Sequence, residues 1–215
     1  QASSGRFEAG LGAGWLEKEL VAAGLEYPQP KERITRYIEA LKISREILKK
    51  QRCHFDGEFY KISLEKVLNS PVYGSPPLVG SAGGPRALKE VSSLVDRVEI
   101  NSTARATRGG KIDLEIMATI DEDEIKAQID LVKNVRPDIP VSMFLLVAVG
   151  EGKEVTKIKN SLRGGYLGNF MGPPEKVTEN LASLKLLGIE RIQLTEFFPG
   201  SHNLLSERLL GMNIN

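Results

Sequence analysis

The stretch Leu78-Val79-Gly80-Ser81-Ala82-Gly83-Gly84-Pro85-Arg86 has the residue types of an anion-binding turn. A short apolar run ends in small residues, and a helix begins directly after them at Pro85. Small residues let a ligand approach the backbone closely. Proline suits the first helical position, and a helix N-terminus offers unpaired N–H donors with a partial positive charge. Together these describe a strand–turn–helix cradle for an anionic group such as a cofactor phosphate. The same residues also suit a tight βα turn without a ligand, because glycine-rich βα turns are common. A second small-residue stretch, Gly10-Leu11-Gly12-Ala13-Gly14-Trp15, fails as a dinucleotide fingerprint. Counted from Gly10, the third glycine falls on Trp15; counted from Gly12, it falls on Glu17. No acidic residue on a second strand follows about 20 residues later. The stretch reads instead as a strand end where a flat ring can approach the backbone. Trp15 then either borders that pocket or packs in a core.

The remaining chemistry-bearing groups are dispersed. Glu17 and Glu19, beside Trp15, suit proton transfer at a barrel mouth or plain exposed helix charge. Asn101 ends an expected strand and would face a substrate at the C-terminal face of a barrel. Arg105, Arg108 and Lys111 sit in an expected loop, ready for an anionic substrate or simply solvated. Neither His54 nor His202 has a second ligand-type residue at metal spacing, so no metal is expected. No serine has the flanks of a nucleophile elbow. The single cysteine, Cys53, excludes an intrachain disulfide, reads as an inert thiol and fits a reducing cytoplasm. No catalytic residue is assigned.

Elements that must position these groups follow from periodicity. Phe7 to Gly12 reads as a strand and Trp15 to Ala23 as a short helix stopped by Gly24. Lys31 to Lys50 reads as a strong helix, with Ile34, Tyr37, Ile38, Leu41 and Leu48 at helical spacing. Cys53 to Tyr60 carries a hairpin signal, Asp56-Gly57 supplying a type I′ turn; residues 51–76 form an excursion from the scaffold, irregular from Leu64 to Pro76. Strands are expected at Pro77–Gly80, Arg97–Asn101, Val141–Val149 and Arg191–Phe197. Helices are expected at Pro85–Val95, from Asp121 to near Pro137, at Lys153–Leu162 and at Pro173–Leu187. Ser102 to Ile120 reads as a long loop, and the tail from Gly200 as a helix or loose end. Asp121, with Glu124 three residues on, reads as a helix cap. The apolar run Val141–Val149 suits a strand buried on both faces of a parallel sheet.

About five strands alternating with helices argue for an α/β fold with a parallel sheet. It is either an open doubly wound sheet or a (β/α)8 barrel, which usually needs ~250 residues. The chain has 215 residues, 41% hydrophobic and 27% charged, with a net charge of +1. Such a balance gives no electrostatic case for nucleic acid or an anionic membrane. No apolar run approaches ~18 residues, so no transmembrane helix is expected. The chain has no initiator methionine and no signal-peptide h-region, and reads as a fragment or a processed product.

The ordered set of motifs resembles the bacterial luciferase-like superfamily. It comprises Gly5-Arg6-Phe7, Gly10 to Trp15, Pro30-x-x-Arg33 leading to Ala40-Leu41, and Phe55-x-Gly57-x-x-Tyr60. It continues with Pro77-Leu78-Val79-Gly80, Gly84 to Leu88, Val95-Asp96, Gly172-x-Pro174-Glu175-x-Val177 and Leu187-Gly188-Ile189. Within that superfamily it resembles in particular the deazaflavin (coenzyme F420)-dependent oxidoreductases. The resemblance implies a TIM (β/α)8 barrel, present as a partial barrel of about five βα units, in one domain over 1–215. It implies hydride transfer between the deazaflavin and a small organic substrate. Ser81, Ala82, Gly83, Gly84 and Arg86 would take the phosphate side of the cofactor, Gly12, Ala13, Gly14 and Trp15 the ring, and Asn101 the substrate. FMN-dependent monooxygenases share the scaffold, so FMN is the alternative cofactor. A short, non-catalytic flavin- or phosphate-binding relative is a further alternative, and an aldolase-like barrel a remote one. Family members carry roughly three βα units ahead of the Gly-Arg-Phe segment, where this chain starts. A sheet open at that edge would associate, and a cytoplasmic homodimer is expected.

Overall fold

The computed structural model describes residues 3–66 and 73–209. Part of the stretch expected to be irregular, and the end of the tail, fall outside the described residues. The chain divides into two compact units, Gln1–Glu99 with Asp130–Pro140, and Ile100–Ile129 with Val141–Asn215.

The first unit begins with strand β1 (Ala9–Leu11), helix α1 (Glu17–Ala22) and the long helix α2 (Pro30–Lys50). A hairpin of β2 (Cys53–Asp56) and β3 (Lys61–Leu64) follows, then β4 (Leu78–Ala82), α3 (Pro85–Ser92) and the start of β5 (Arg97–Asn101). The strand order is β1-β4-β5. β1 and β4 run parallel, with Ala9, Gly10 and Leu11 opposite Leu78, Val79 and Gly80. The core gathers Tyr37, Ile38 and Leu41 of α2 with Leu78, Leu88, Val91, Val95 and Val98, all buried. Pro30 opens α2 and Pro85 opens α3 at positions where a missing N–H costs nothing. Asp96 fixes the start of β4. Its Oδ2 accepts from the Leu78 N–H at 2.9 Å, and its Oδ1 meets Lys49 Nζ at 2.9 Å.

The second unit holds α4 (Ala104–Thr107), α5 (Leu114–Met117), the start of α6 (Glu122–Val135), β6 (Val141–Val149) and α7 (Lys153–Ser161). Then come β7 (Met171–Gly172), α8 (Pro174–Ser183), β8 (Arg191–Glu196) and α9 (Ser201–Leu209). β6 pairs in parallel with both β7 and β8. Eight of its nine residues are buried, as its unbroken apolar run requires. The α6 start is capped as its sequence predicts, Asp121 Oδ1 accepting from the Glu124 N–H at 2.8 Å.

Several boundaries differ from the sequence reading. β4 runs on through Ser81 and Ala82, two residues past Gly80, where its pairing with β1 ends. α3 stops at Ser92, short of Val95. The segment read as a long loop contains α4 and α5, the latter capped by Asp113 accepting from the Glu115 and Ile116 N–H groups. α8 tightens into a 3-10 turn over Leu184–Leu187. The two-residue strand β7 carries too few residues for any period to reveal it.

The hairpin is real, but its turn is not type I′. Asp56 pairs with Lys61, leaving a four-residue loop closed by the Gly57 N–H donating to the Tyr60 carbonyl at 2.9 Å. A carboxylate from α2 organises this loop. Glu39 accepts from the N–H groups of Glu58 at 2.7 Å, Phe59 at 3.0 Å and Tyr60 at 3.0 Å. A Cβ on Gly57 would lie 2.6 Å from that carboxylate and 2.5 Å from the Phe55 ring, so only glycine fits. Burial pushes the Glu39 carboxyl up, but the three backbone donors and Lys42 outweigh it and hold it below the ordinary value.

A group with a lowered folded pKa contributes its full stability above its unfolded pKa and loses it as pH falls through the folded value. Amides of the hairpin loop are therefore expected to lose exchange protection on acidification, and Glu39→Gln to lose it already at neutral pH. Glu39→Ala is expected to cost about 1.5–3 kcal/mol in urea unfolding, the range for hydrogen bonds to a charged group. Unchanged loop protection in both variants would refute this role for Glu39.

Candidate functional site

Ligands of parallel α/β folds sit at the carboxyl ends of the strands. In the first unit the two small-residue stretches meet there. The β1–β4 register places Gly12 next to Ser81, and a Cβ built on Gly12 would meet the Ser81 Cβ at 3.9 Å. Gly12 to Trp15 and Ser81 to Arg86 thus leave adjacent strands side by side.

The glycines in these turns have different reasons to be there. Gly14 has φ +72°, which favours glycine outright. Gly80 is forced by packing: a Cβ would stand 2.5 Å from Val91 Cγ1 and 2.9 Å from Val95 Cγ1. Gly12 and Gly84 are required by neither constraint. Gly84 has φ −88°, and a Cβ there would meet nothing within 4 Å. Gly12 lies outside the positive-φ region and would touch only Ser81. The fold tolerates side chains at both positions, yet the turns present bare backbone at the strand ends.

Helix α2 braces the turns from its N-terminal half. The Tyr27 hydroxyl donates to the Trp15 carbonyl at 2.9 Å, and the Arg33 guanidinium lies 4.1 Å above the Tyr27 ring. Arg33 is buried, and desolvation lowers its pKa against the opposing pull of Glu17. The Pro30-x-x-Arg33 motif therefore starts a helix and places a cation on the aromatic ring that holds the Trp15 turn. Further along, Tyr37 is buried, and its hydroxyl donates to the Leu11 carbonyl at 2.9 Å. Burial pushes its pKa well above the ordinary tyrosine value, partly offset by the nearby Ser81 backbone N–H.

Trp15 is 38% exposed, so it is a rim residue of the turn and not part of the core. Arg86 points along the α2 side of the cradle. It bonds Glu90 at 2.8 Å, Thr35 Oγ1 at 3.1 Å and the Lys31 carbonyl at 3.5 Å, and must leave such partners to reach a ligand. Ser81 and Ala82 belong to β4, while Gly83 and Gly84 form the turn proper. Glu17 and Glu19 are exposed on α1.

In the second unit, Asn101 ends its strand with Oδ1 accepting from the Thr103 N–H at 3.0 Å and Thr103 Oγ1 at 2.9 Å. Its carbonyl oxygen closes a local turn. Arg105 pairs with Glu124 at 2.9 Å, while Arg108 and Lys111 are exposed. Glu196, at the end of β8, accepts from the His202 N–H at 2.7 Å and faces the His202 ring. The backbone donor of His202 holds the Glu196 carboxyl below its ordinary value, burial opposing and the Gly200 N–H assisting. His54 lies on the hairpin near Glu65, at 3.6 Å. Cys53 is buried and unpaired.

Tyr37 and Glu39 were not legible as site residues. Tyr37 reads as one more apolar position of α2, although a buried tyrosine hydroxyl needs a partner. Glu39 shows no signal, since its partners are backbone groups about 20 residues downstream.

The sequence profile of the luciferase-like monooxygenase family matches residues 1–157. An F420-dependent glucose-6-phosphate dehydrogenase from Amycolatopsis mediterranei is 33% identical over 87 residues, a match covering 40% of this chain and 26% of the relative. The chain thus spans about a quarter of the length of that relative. Among solved structures, an F420-dependent secondary alcohol dehydrogenase in complex with an F420–acetone adduct superimposes with TM-score 0.67 at 15% identity. That match covers 95% of this chain and 68% of the other. A monooxygenase from Streptomyces bottropensis gives TM-score 0.64 at 16% identity, covering 97% and 69%. The fold is the α/β fold of these barrels, in part.

Gly80→Ala is expected to cost about 1–3 kcal/mol, the price of overpacking a filled core. The urea midpoint would fall with an unchanged slope. A midpoint equal to wild type would mean that Val91 and Val95 yield freely.

Proposed function

The chain belongs to the luciferase-like monooxygenase family, and from that premise we propose an F420-dependent oxidoreductase that moves a hydride between the deazaflavin and a small organic substrate. The observation that carries the reading is the bare backbone at Gly12 and Gly84. Glycine at a position with an ordinary φ and open space above it leaves room for close approach of something outside the fold. Two such positions flank the ends of adjacent parallel strands, where ligands of this architecture bind. Likeness to enzymes named for F420, in sequence and in fold, supports the choice of cofactor.

When bound, the deazaflavin supplies the hydride chemistry, and the chain contributes binding and orientation. Gly83 and Gly84 lead into the N-terminus of α3, whose partial positive charge suits a phosphate. Gly12 to Trp15 offer a flat face for the ring, with the exposed indole of Trp15 at its rim. Tyr27 holds the Trp15 carbonyl and so fixes where that rim lies. A cytoplasmic homodimer belongs to the same proposal, with the free thiol of Cys53 fitting a reducing compartment.

Titration of the full chain with F420 and, separately, with FMN tests the reading. Saturable F420 binding at least tenfold tighter than FMN is expected. A preference for FMN would replace it with the flavin monooxygenase reading, and binding of neither would sink both. Gly12→Val should weaken F420 at least tenfold while leaving the melting temperature within about 2 °C, since surface substitutions change stability by only about 0.5 kcal/mol.

A further inference from the structure

The carbonyl of Leu11 and the N–H of Ser81 are the last facing groups of the β1–β4 ladder, because Leu11 stands opposite Gly80. Beyond them the strands part into the two turns. A side chain from neither strand sits on this last rung. The Tyr37 hydroxyl donates to the Leu11 carbonyl at 2.9 Å at the end of β1, and it stands against β4 beside Gly80. The ring behind it is 4% exposed, so the hydroxyl has no freedom to swing into water. The place is also crowded: a Cβ on Gly80 would stand 3.1 Å from the Tyr37 oxygen. Gly80 thus leaves the space through which the hydroxyl reaches both strands.

We propose that Tyr37 is a positioning residue for cofactor binding, its hydroxyl locking the ends of β1 and β4 and so setting the separation of the Gly12–Trp15 and Ser81–Gly84 turns. The proposal rests on the reading of these turns as the two halves of one cofactor site. Tyr37 touches no ligand in this scheme. It acts by denying the strand ends the freedom to fray, which two separate turns holding one rigid molecule cannot tolerate. A tyrosine serves where phenylalanine would fill the core equally well, because only the hydroxyl can hold the Leu11 carbonyl of β1 while standing against β4 at Gly80.

The test is Tyr37→Phe, which keeps the ring and deletes the hydroxyl. Two readouts are taken on the full chain well below its melting temperature: amide hydrogen exchange without cofactor, and the dissociation constant for F420. Exchange at Gly12 and Ser81 should quicken at least tenfold, with β6 (Val141–Val149) unchanged as the internal control. The F420 dissociation constant should rise three- to tenfold. Faster exchange at both strand ends with unaltered F420 affinity would overturn the positioning role and leave a purely structural one. Unaltered exchange would overturn the proposal at its base. Should wild type bind no F420, the functional reading fails and this proposal falls with it, whereas binding by wild type with no loss in the variant refutes this proposal alone.

Discussion

Helix α2 buries three polar side chains, Arg33, Tyr37 and Glu39, and each engages a specific partner outside the helix. Arg33 lies over Tyr27, whose hydroxyl holds the carbonyl of Trp15. Tyr37 holds the Leu11 carbonyl at the end of β1. Glu39 gathers three backbone N–H groups of the hairpin loop. A single helix therefore braces both the end of β1 with its Trp15 turn and the hairpin loop that follows α2. Replacing these groups by apolar ones would leave the core filled and its backbone partners stranded, a cost that falls on the burial of unpaired donors and acceptors.

Glycine content alone says little about function here, because the glycines answer to different forces. Gly57 makes room for the Glu39 carboxylate, and Gly80 for two valine methyls and a tyrosine hydroxyl. These are internal demands of packing. Gly12 and Gly84 answer to none of them, and the unfilled space lies at the strand ends where the architecture binds its ligands. The contrast separates glycines that the fold needs from glycines that leave bare backbone open to a ligand. It is visible only once the neighbours of each absent Cβ are known.

Much of the scaffold was legible because its signals are local. The period of α2, the unbroken apolar run of β6, the prolines opening α2 and α3, and the Asp121 cap each depend on residues within a few positions of one another. What failed depended on distance or shortness. The hairpin turn departed from type I′ because Glu39, from another element, stabilises a four-residue loop. α4 and α5 are too short to show a period, and β7 shorter still. The pairing of β4 with β1, which lies some 70 residues earlier in the chain, is set by register that no local pattern reveals, and β4 continues past it through Ser81 and Ala82.

The sequence by itself determined the alternation of strands and helices, the two small-residue turns and the family to which their order belongs, since composition and spacing carry that information directly. Only the tertiary structure decided that Gly12 and Ser81 are neighbours, that Trp15 stands at the rim of its turn, and that Arg86 is tied to Glu90 and Thr35. The physical reason is that a parallel ladder joins residues far apart in the chain, and a buried hydroxyl or carboxylate takes whichever partner the packing brings within reach. Neither choice is written in the residues on either side of it.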